Sequence, residues 1–514
     1  MRIASIALAT FLAALCSPAF ASGKAKHVVV MVWDGMRPDF VSETNTPALY
    51  QLARRGVTFQ NHHPVYISTT EVNGTSLSTG CYPEHDGIVG NREYRPAIEP
   101  RKPIHTEAEA VVRRGDELTH GHYVHMATLA EIVRKAGRKT AVAGAKGVAL
   151  LLDRAERTNA EAGAAVYAGL TLPQSLAGTL AGRYGAFPML TAAIPPRNDW
   201  TSLALIDSLW ADGVPSLSFL WMNEPDRTQH LTGPGTEQSL AAIRNDDDNL
   251  ARVLRALDEK GVRDSTDVLV VSDHGFSTVA ATVSLAAALT EAGIKAETKF
   301  ATTPSRGDVL VVGNGGTAFV YVIDHDENTI TRVVSFLQSW TNTGVIFTSK
   351  PMPGTFTSNQ ARLDSSDASD VAVSLRWSAE KSAAGAPGML TMEVGESSGE
   401  HGNHGSLSRF DMHNTLIAAG PDFRPGVFDA LPSGNVDVAP TVLWILGIKP
   451  PARMDGRVLT EALTSKGPKI KSFEPFHLEA TNEIGNSVWH QYLNFTEVNG
   501  VRYFDEGNGW QTAK

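Results

Sequence analysis

Short apolar runs alternate with amphipathic segments along the first half of the chain. The run at 27–33 is β-branched and continuously apolar, as in a strand that is buried on both faces of a sheet. Leu250, Val253, Leu254 and Leu257 recur with helical spacing and form one apolar stripe. This alternation predicts an α/β fold with a mainly parallel central sheet and helices on both of its faces. The pattern places strands at 27–33, 140–143, 216–222 and 267–271, and helices at 47–55, 128–136, 202–210 and around Leu250.

The second half of the chain has a different pattern. Between 276 and 400 the apolar runs are mostly strand-like, with one helix predicted at 332–340, so we expect a smaller β-rich subdomain or sheet extension. Residues 472–514 contain short strand and turn signals, which predict a hairpin-like C-terminal extension. The main domain is then expected to run from 22 to 471.

The first 21 residues have the features of a secretory signal peptide. Arg2 is positively charged, residues 3–15 are mostly apolar, and Ala19 and Ala21 give the small-x-small pattern of a cleavage site. We therefore expect an exported protein, periplasmic or secreted, whose mature chain begins at Ser22. The apolar run is short for a membrane anchor, and no later run approaches about 18 apolar residues, so no transmembrane span is expected.

Composition narrows the classes of partner. The chain has 514 residues, of which 42% are hydrophobic and 19% charged, as is typical of a folded globular protein. Its net charge of −10 and its lack of clustered Lys and Arg argue against binding to nucleic-acid polymers or anionic membranes. Without the leader, Cys81 is the single cysteine, so no internal disulfide is expected.

Candidate chemistry lies where three predicted strands end. Asp34, Asp226 and Asp273 follow three separate apolar runs. In an open α/β sheet the site lies beyond the carboxyl ends of the strands, so we expect these side chains to converge in one crevice. One Asp after a strand is commonly a turn residue or a helix cap, but three in corresponding places indicate a functional site.

Histidines near two of these carboxylates suggest metal binding. Asp226 and His230 are four positions apart, so one helical turn brings both side chains to one face. Asp273 and His274 are adjacent at a strand end, where the turning backbone lets both reach one ion. A further histidine is expected from 399–405, where two overlapping G-x-H-G patterns compete. Mixed Asp and His ligation suits Zn²⁺ best, with Mn²⁺ or iron also compatible, and two such sites would hold two divalent ions that share a phosphoryl group.

Several short motifs follow one another in order along the chain. They are VWDGMRPD (32–39), TEVN (70–73), LSTGCYPE (77–84), GIVGN (87–91), EPDRTQH (224–230), SDHG (272–275), GNHG (402–405), AGP (419–421) and DGRVL (455–459). This set resembles the nucleotide pyrophosphatase/phosphodiesterase family of the alkaline phosphatase superfamily. The resemblance implies an alkaline-phosphatase-like three-layer sandwich, a catalytic main domain and a hydrolase of small-molecule phosphate esters, with phosphodiesters or nucleotide pyrophosphates as the expected substrates.

The resemblance also implies roles for individual residues. Thr70 corresponds to the nucleophile, a metal-activated hydroxyl that forms a phospho-threonine intermediate, and Asn91 to an amide that donates to a phosphoryl oxygen. We choose His404 over His401 as the late ligand because its spacing to Gly420 is closer to that of the family. One ion would be bound by Asp34, Thr70, Asp273 and His274, and the other by Asp226, His230 and His404.

Some positions near the nucleophile need separate interpretation. The family usually has an aromatic residue and a proline where Glu71 and Val72 stand, so we expect a different pocket wall, and Thr69 and Ser68 stay open as nucleophiles. Lys146 follows a predicted strand and resembles a substrate-contacting lysine of phosphonoacetate hydrolases in the same superfamily. A solvated loop lysine is the alternative, and it is the interpretation that we favour from the sequence.

Other patterns are interpreted structurally. A helix is expected to begin near Asn73 and to turn its amino end toward the phosphate. GNGGTA (313–318) leads into a strand-like run and predicts a hairpin turn rather than a dinucleotide site. CYPEH (81–85) lacks the arginine of the formylglycine signal of sulfatases, so we reject a sulfatase of that type. The aspartates at 246–248 are expected on the solvated face of a helix.

Two alternatives to a phosphodiesterase follow from the same residues. A phosphomonoesterase or phosphonate hydrolase would need additional positive charge, which Arg92, Arg95 or Lys146 would supply. A non-catalytic metal-binding or ligand-binding protein would keep the ligands but would not need a hydroxyl at Thr70. The full set of candidate ligands together with Asn91 therefore favours a metal-dependent phosphoric ester hydrolase.

Overall fold

A central sheet of nine strands forms the core of the fold. The computed structural model describes residues 23–190, 196–395 and 399–514, so the predicted signal peptide lies outside the described residues. Five neighbouring strands, from Thr266–Val271 to Gly163–Tyr167, run parallel, which confirms the mainly parallel sheet. The strand order is Val427–Asp429, Val57–Phe59, Leu416–Ala419, Thr266–Val271, His27–Trp33, Leu217–Met222, Thr140–Gly144, Gly163–Tyr167 and Leu170–Leu172.

Helices cover both faces of this sheet because its central strand is apolar on both faces. In His27–Trp33, Val30 and Val32 contribute to one hydrophobic core, while Val29 and Met31 contribute to the other. The predicted three-layer arrangement is confirmed. One core includes the helices Thr70–Thr79, Glu109–Thr119, Leu129–Lys135, Ala149–Leu152 and Val438–Leu446, and the other includes Pro47–Arg54, Leu176–Tyr184, Arg197–Leu203, the π-helical turn Ala204–Leu209 and Glu237–Glu259.

A smaller β-rich subdomain lies in the second half of the chain, as predicted. The helices Leu285–Glu291 and Glu327–Ser339 pack against its larger sheet. The glycine-rich segment is a hairpin turn, as expected, with Gly315 at φ 66°. The larger sheet has the order Ala296–Glu297, Val309–Asn314, Thr317–Val322, Val371–Leu375, Thr343–Thr348 and Phe356–Thr357, and a second sheet has the order Trp377–Lys381, Pro387–Glu393, Ser277–Val283 and Gly402–Asn403.

The C-terminal segment is larger than the predicted hairpin. It forms a three-stranded antiparallel sheet of the long strands Phe473–Ile484, Ser487–Val498 and Val501–Ala513. Buried and more exposed positions alternate along these strands because one face of the sheet is covered, so the apolar runs in the sequence are short. Trp489 anchors the sheet by burying its ring and donating from Nε1 to the carbonyl oxygen of Gly354 at 3.0 Å.

The aspartates at 246–248 correct one sequence expectation. Asp248 is exposed as predicted, but Asp246 and Asp247 are buried. The Asp247 carboxylate accepts two N–H groups at the start of the helix Pro47–Arg54, each at 2.8 Å, and so caps that helix. Asp246 accepts a hydrogen bond from Asn198 at 2.6 Å. Sequence alone misses these roles because both partners lie far away along the chain.

Within the described ranges, no helix has the length and apolar character that crossing a bilayer requires. The remaining helical segments are short: Pro83–Asp86 and Asp226–Thr232, with 3₁₀ turns at Pro38–Phe40, Arg263–Ser265, Ile323–His325 and Asn435–Asp437. Two further pairs of short strands join Ser433–Gly434 to His62–His63 and Arg92–Glu93 to Ile104–His105.

A buried carboxyl group in the central sheet makes stability depend on pH. Burial and the neighbouring Asp422 raise the pKa of Asp267 to about 8. Because the folded state holds this proton more tightly than the unfolded chain, the stabilisation is present below pH 4 and is lost as pH rises through about 8. Asp267→Asn should therefore increase the free energy of unfolding relative to wild type by on the order of 1–3 kcal/mol at pH 9, and by much less at pH 5. The melting temperature of the variant should rise accordingly at pH 9. Paired thermal melts at the two pH values measure this, and a pH-independent difference would contradict it.

Candidate active site

Three carboxylates meet beyond the carboxyl ends of three neighbouring parallel strands. Asp34, Asp226 and Asp273 follow the central strand of the sheet and the strands on either side of it. The N–H of Asp226 donates to the carbonyl oxygen of Asp34 at 2.9 Å, and the N–H of Gly35 donates to Asp273 Oδ1 at 3.0 Å. The three loops are therefore tied together, and the carboxylates share one crevice as expected.

These carboxylates and three histidines form two adjacent groups of possible ligands. Within each group the ligand atoms all lie within 4.8 Å of one another. His230 Nε2 lies 3.2 Å from Asp226 Oδ1 and His404 Nε2 lies 3.5 Å from the same oxygen. The imidazole rings of His274 and His404 stack with centroids 3.6 Å apart, which places the groups side by side. The first group is Asp34, Asp273 and His274, and the second is Asp226, His230 and His404.

Each of the three histidines is oriented by a backbone carbonyl. Nδ1 of His230, His274 and His404 lies 3.0, 2.9 and 2.8 Å from the carbonyl oxygens of Gly402, Gly275 and Ser68. A carbonyl oxygen can only accept, so Nδ1 carries the proton and donates it. In His274 and His404, Nε2 then has a lone pair that faces the carboxylates, which is the orientation found in histidines that bind metals. Burial lowers the pKa of His230, but the carboxylate of Asp226 outweighs burial and raises it to about 10, so Nε2 of His230 also carries a proton until a cation displaces it.

One oxygen of each carboxylate lacks a hydrogen-bond donor. Asp34 Oδ1, Asp226 Oδ1 and Asp273 Oδ2 are buried and make no hydrogen bond within the part of the chain that the structure describes. A buried carboxylate oxygen without a donor is costly, and a cation bound at this position would remove that cost. Unpartnered carboxylate oxygens together with imidazole lone pairs therefore fit divalent metal ions of the zinc type.

Burial and repulsion between like charges set the protonation states here. Burial raises the pKa of Asp34 well above its ordinary value, and the charges of Asp226 and Asp273 raise it further. Burial also raises the pKa of Asp273 to about 7. The pKa values of His274 and His404 are lowered by burial to about 3, so both imidazoles are neutral near pH 7 and keep the lone pairs that a cation needs.

Thr70 lies beside both groups at the beginning of a buried helix. The helix is Thr70–Thr79, so it begins three residues earlier than the expected start near Asn73. Thr69 has extended backbone angles and precedes the first turn. Thr70 Oγ1 is 3.3 Å from His274 Nε2. The hydroxyl is therefore held at the amino end of a helix, where the helix dipole favours negative charge.

Asn73 fixes the loop that carries Thr70. Its side-chain Nδ2 lies 3.3, 3.1 and 3.1 Å from the carbonyl oxygens of Val65, Ile67 and Thr69, and its Oδ1 accepts the N–H of Val65 at 2.7 Å. In the sequence, Asn73 marks only the end of the TEVN motif and the expected start of a helix. Its side chain cross-links the turn before the helix and so positions the hydroxyl of Thr70.

Lys146 is not a solvated loop residue, contrary to that alternative. Its side chain is 19% exposed, and Nζ lies 2.9 Å from Asp34 Oδ2, 3.1 Å from Asp226 Oδ2 and 3.4 Å from Thr70 Oγ1. Burial lowers the pKa of Lys146, but the carboxylates of Asp226 and Asp34 outweigh burial and raise it well above its ordinary value. A permanent positive charge therefore contacts the hydroxyl of Thr70.

Asn91 lies on the wall of an open pocket next to Thr70. Its Oδ1 accepts the N–H of Glu71 at 3.1 Å, which directs Nδ2 away from that backbone. The pocket has a volume of about 510 Å³ and is also lined by Thr69, His230 and His404. The amide is thus available at the same cavity that the second group of ligands faces.

Two neighbours of the site were not found from the sequence. Trp221 Nε1 donates to Asp34 Oδ2 at 2.9 Å and holds that carboxylate in place. Glu107 pairs with Glu71, and burial together with this neighbour raises the pKa of Glu71 well above its ordinary value. A tryptophan inside an apolar strand and a glutamate in a loop carry no sequence signal for these roles, since only the fold brings them to the site.

The structure also separates the alternatives within two motifs. It brings His404 into the second group, whereas His401 is exposed to solvent. Ser68 Oγ donates to the carbonyl oxygen of Ser406 at 3.0 Å and so faces away from the ligands. Thr69 Oγ1 is buried without a hydrogen-bond partner among the described residues.

Comparisons with known proteins identify the family of the chain. The model of the type I phosphodiesterase/nucleotide pyrophosphatase family matches residues 28–405. Human ectonucleotide pyrophosphatase/phosphodiesterase family member 7 is 24% identical over 280 residues, which are 54% of this chain and 53% of that protein. Human bis(5'-adenosyl)-triphosphatase is 21% identical over 254 residues, covering 49% of this chain and 47% of that protein. The chain thus spans about half the length of the curated relatives that it matches.

Solved structures show the same fold. Human ectonucleotide pyrophosphatase/phosphodiesterase 5 has a TM-score of 0.60 at 16% identity, covering 85% of this chain and 100% of that chain. The murine protein, solved as an inactive threonine-to-alanine variant in complex with AMP, has a TM-score of 0.61 at 17% identity with the same coverage. These similarities confirm the alkaline-phosphatase-like fold, and with a family match over most of its length the chain belongs to the type I phosphodiesterase/nucleotide pyrophosphatase family.

Proposed function

We propose that this chain is an exported two-metal hydrolase of phosphate esters that uses Thr70 as its nucleophile, with phosphodiesters or nucleotide pyrophosphates as substrates. The position of Thr70 carries the proposal, because Thr70 is the first residue of a buried helix and its hydroxyl lies beside the carboxylate–histidine groups. Membership of the family and the phosphodiesterase and triphosphatase names of the relatives support the class of reaction. Export rests on the signal-like segment at 1–21.

The two groups of ligands fit a pair of divalent ions, with Zn²⁺ favoured over Mn²⁺ or iron by the mixture of Asp and His. Such ions, when bound, neutralise charge on the phosphoryl group and favour the ionised form of a nearby hydroxyl. The proposed ligands are Asp34, Thr70, Asp273 and His274 for one ion, and Asp226, His230 and His404 for the other.

The chemistry proceeds in two displacements at phosphorus. The hydroxyl of Thr70 gives its proton to solvent, and its oxygen forms a bond to phosphorus while the bond to the leaving group breaks and the leaving group takes the electron pair. Water then attacks the phospho-threonine, and the oxygen of Thr70 departs with the electron pair of its bond and regains a proton. Lys146 stabilises negative charge at Thr70, and Asn91 donates to a non-bridging oxygen, so the protein acts mainly by positioning and charge neutralisation.

The charges around Thr70 favour a diester over a monoester. A monoester carries a second negative charge and needs additional cations near the phosphoryl group. Arg95 does not supply one, since its Nε donates to Glu93 at 2.7 Å and its guanidinium is buried. Lys146 is already shared with two carboxylates. Arg92 also lines the pocket, so a monoesterase would have to depend on Arg92 and Lys146.

The lining of the pocket bears on the leaving group. Among the described residues that line it there is no Phe, Tyr or Trp, and its rings are imidazoles of His105, His230 and His404. A nucleobase would therefore find no large aromatic face on which to stack. This observation favours simple phosphodiesters over nucleotides, and a comparison of bis-p-nitrophenyl phosphate with p-nitrophenyl thymidine monophosphate distinguishes the two.

Replacement of the nucleophile should abolish turnover. Thr70→Ala is expected to lower kcat on bis-p-nitrophenyl phosphate by on the order of a thousandfold or more, because no other group forms the covalent intermediate. Metal content should fall little, since Asp and His supply most of the ligands. Thr69→Ala is the matched control and should keep activity. If Thr69→Ala is inactive and Thr70→Ala is active, the nucleophile is wrongly assigned. If neither diesters nor p-nitrophenyl phosphate are hydrolysed in a Thr70-dependent reaction, a phosphonate hydrolase or a non-catalytic protein is favoured.

The two histidines of the late motif should differ in metal binding. His404→Ala is expected to lose about half of the metal bound at the two proposed sites, because its Nε2 faces the oxygen of Asp226 that has no donor. His401→Ala should retain the metal, since this side chain is exposed. Elemental analysis after dialysis measures both variants, and the reverse result would move the ligand to His401.

The positive charge of Lys146 should matter more for a dianionic substrate. Lys146→Ala is expected to lower kcat/KM roughly ten- to hundredfold on p-nitrophenyl phosphate and less on the diester, because a monoester places more negative charge beside Thr70. Lys139→Ala, an exposed lysine before the same strand, is the control. Equal losses on both substrates would show that Lys146 positions Asp34 and Asp226 instead of contacting the phosphoryl group.

A further inference from the structure

A third group of possible metal ligands lies apart from Thr70. His63 belongs to the short strand His62–His63, His413 to the loop before the strand Leu416–Ala419, and Asp505 to the last strand of the C-terminal sheet. Their ligand atoms all lie within 4.8 Å of one another. None of the three residues belongs to the two groups beside Thr70.

His63 is oriented in the same way as the histidines of the active site. Its side chain is fully buried, and Nδ1 lies 3.0 Å from the carbonyl oxygen of Phe504, to which it donates. Its Nε2 is buried and has no hydrogen-bond partner among the described residues. Because Nδ1 donates to this carbonyl oxygen, Nε2 is the nitrogen that faces Asp505 Oδ1, at 3.8 Å.

The spacing of the ligand atoms suits an ion between them. Nε2 of His63 and Nε2 of His413 each lie 3.8 Å from Asp505 Oδ1, which is too long for a hydrogen bond. Two ligands of one tetrahedral Zn²⁺, each at about 2.1 Å from the metal, lie roughly 3.4 Å apart. The two imidazole rings meet edge to face with centroids 4.6 Å apart, and Nε2 of His413 also lacks a hydrogen-bond partner in the described structure.

The group also has access to solvent. His413 is 36% and Asp505 is 29% exposed at the side chain. Both line a cavity of about 540 Å³ together with Phe476 and Phe495. Water or a small ligand can therefore complete the coordination of an ion that three protein side chains bind.

We propose that His63, His413 and Asp505 bind a third divalent cation, for which two imidazoles and one carboxylate favour Zn²⁺. The ion joins the last strand of the C-terminal sheet to the strand and loop of the main domain, so it stabilises the attachment of that sheet. The alternative is a direct ion pair in which protonated His413 approaches Asp505 without any metal.

Measurement of the metal content distinguishes a bound cation from a direct ion pair between His413 and Asp505. The full chain is loaded with Zn²⁺, dialysed and analysed by mass spectrometry of the metal. Asp505→Asn and His413→Ala should each carry one equivalent less than wild type and lose part of the rise in melting temperature that Zn²⁺ produces. Thr70-dependent hydrolysis should be unchanged. His477→Ala is the matched control, because this exposed histidine lines the same cavity and bonds to Asn494 and Glu479.

Equal metal content in wild type and both variants would overturn the proposal, and a lower melting temperature with unchanged metal content would identify the ion pair instead. If Asp505→Asn does not fold, His413→Ala tests for the loss of the same one equivalent of Zn²⁺, because its side chain is more exposed. The result does not depend on the proposed catalytic function, because the measured quantity is a difference from wild type that persists even if the groups beside Thr70 bind nothing.

Discussion

The constraint on which the site depends is the repulsion among three carboxylates, Asp34, Asp226 and Asp273, that are buried together at one edge of the central sheet. Burial removes the water that would screen their charges, so three such groups stay ionised together only beside compensating positive charge, and burial raises the pKa values of Asp34 and Asp273. Lys146 supplies part of this positive charge through contacts at 2.9 and 3.1 Å, while one oxygen of each carboxylate still lacks a donor. The arrangement is costly as bare protein and is suited to cations.

The rest of the fold holds these charges at one edge of the sheet, beside the hydroxyl of Thr70. Parallel strands bring the carboxylates to one edge, and backbone carbonyls turn Nε2 of each histidine toward them. The side chain of Asn73 cross-links the turn that presents Thr70, and Trp221 donates a hydrogen bond to Asp34. Most of these supporting contacts involve backbone atoms or buried side chains, so they fix the geometry independently of the substrate.

The outer parts of the chain are organised around the same main domain. The β-rich subdomain contributes the wall of the pocket through its hairpin at Gly313 and Asn314. The C-terminal sheet packs against the β-rich subdomain, where Trp489 joins its core and donates to Gly354, and it carries Asp505 to His63 and His413. Histidine and carboxylate groups thus occur in two regions: beside Thr70, and where the last strand of the C-terminal sheet meets His63 and His413.

Hydrophobic pattern and motif order were enough to determine the α/β class, the main strands and the aspartates that end them, because strand periodicity and strand-end position are local properties of the sequence. The i, i+4 spacing of Asp226 and His230 likewise needed no tertiary information. Only the folded chain decided that Lys146 lies in the site, that Asp246 and Asp247 are buried, and that the C-terminal segment forms three long strands. Those features depend on contacts between residues far apart in sequence. Whether a polar group is buried is decided by distant residues that bond to it and cover it, and the local sequence pattern does not identify them.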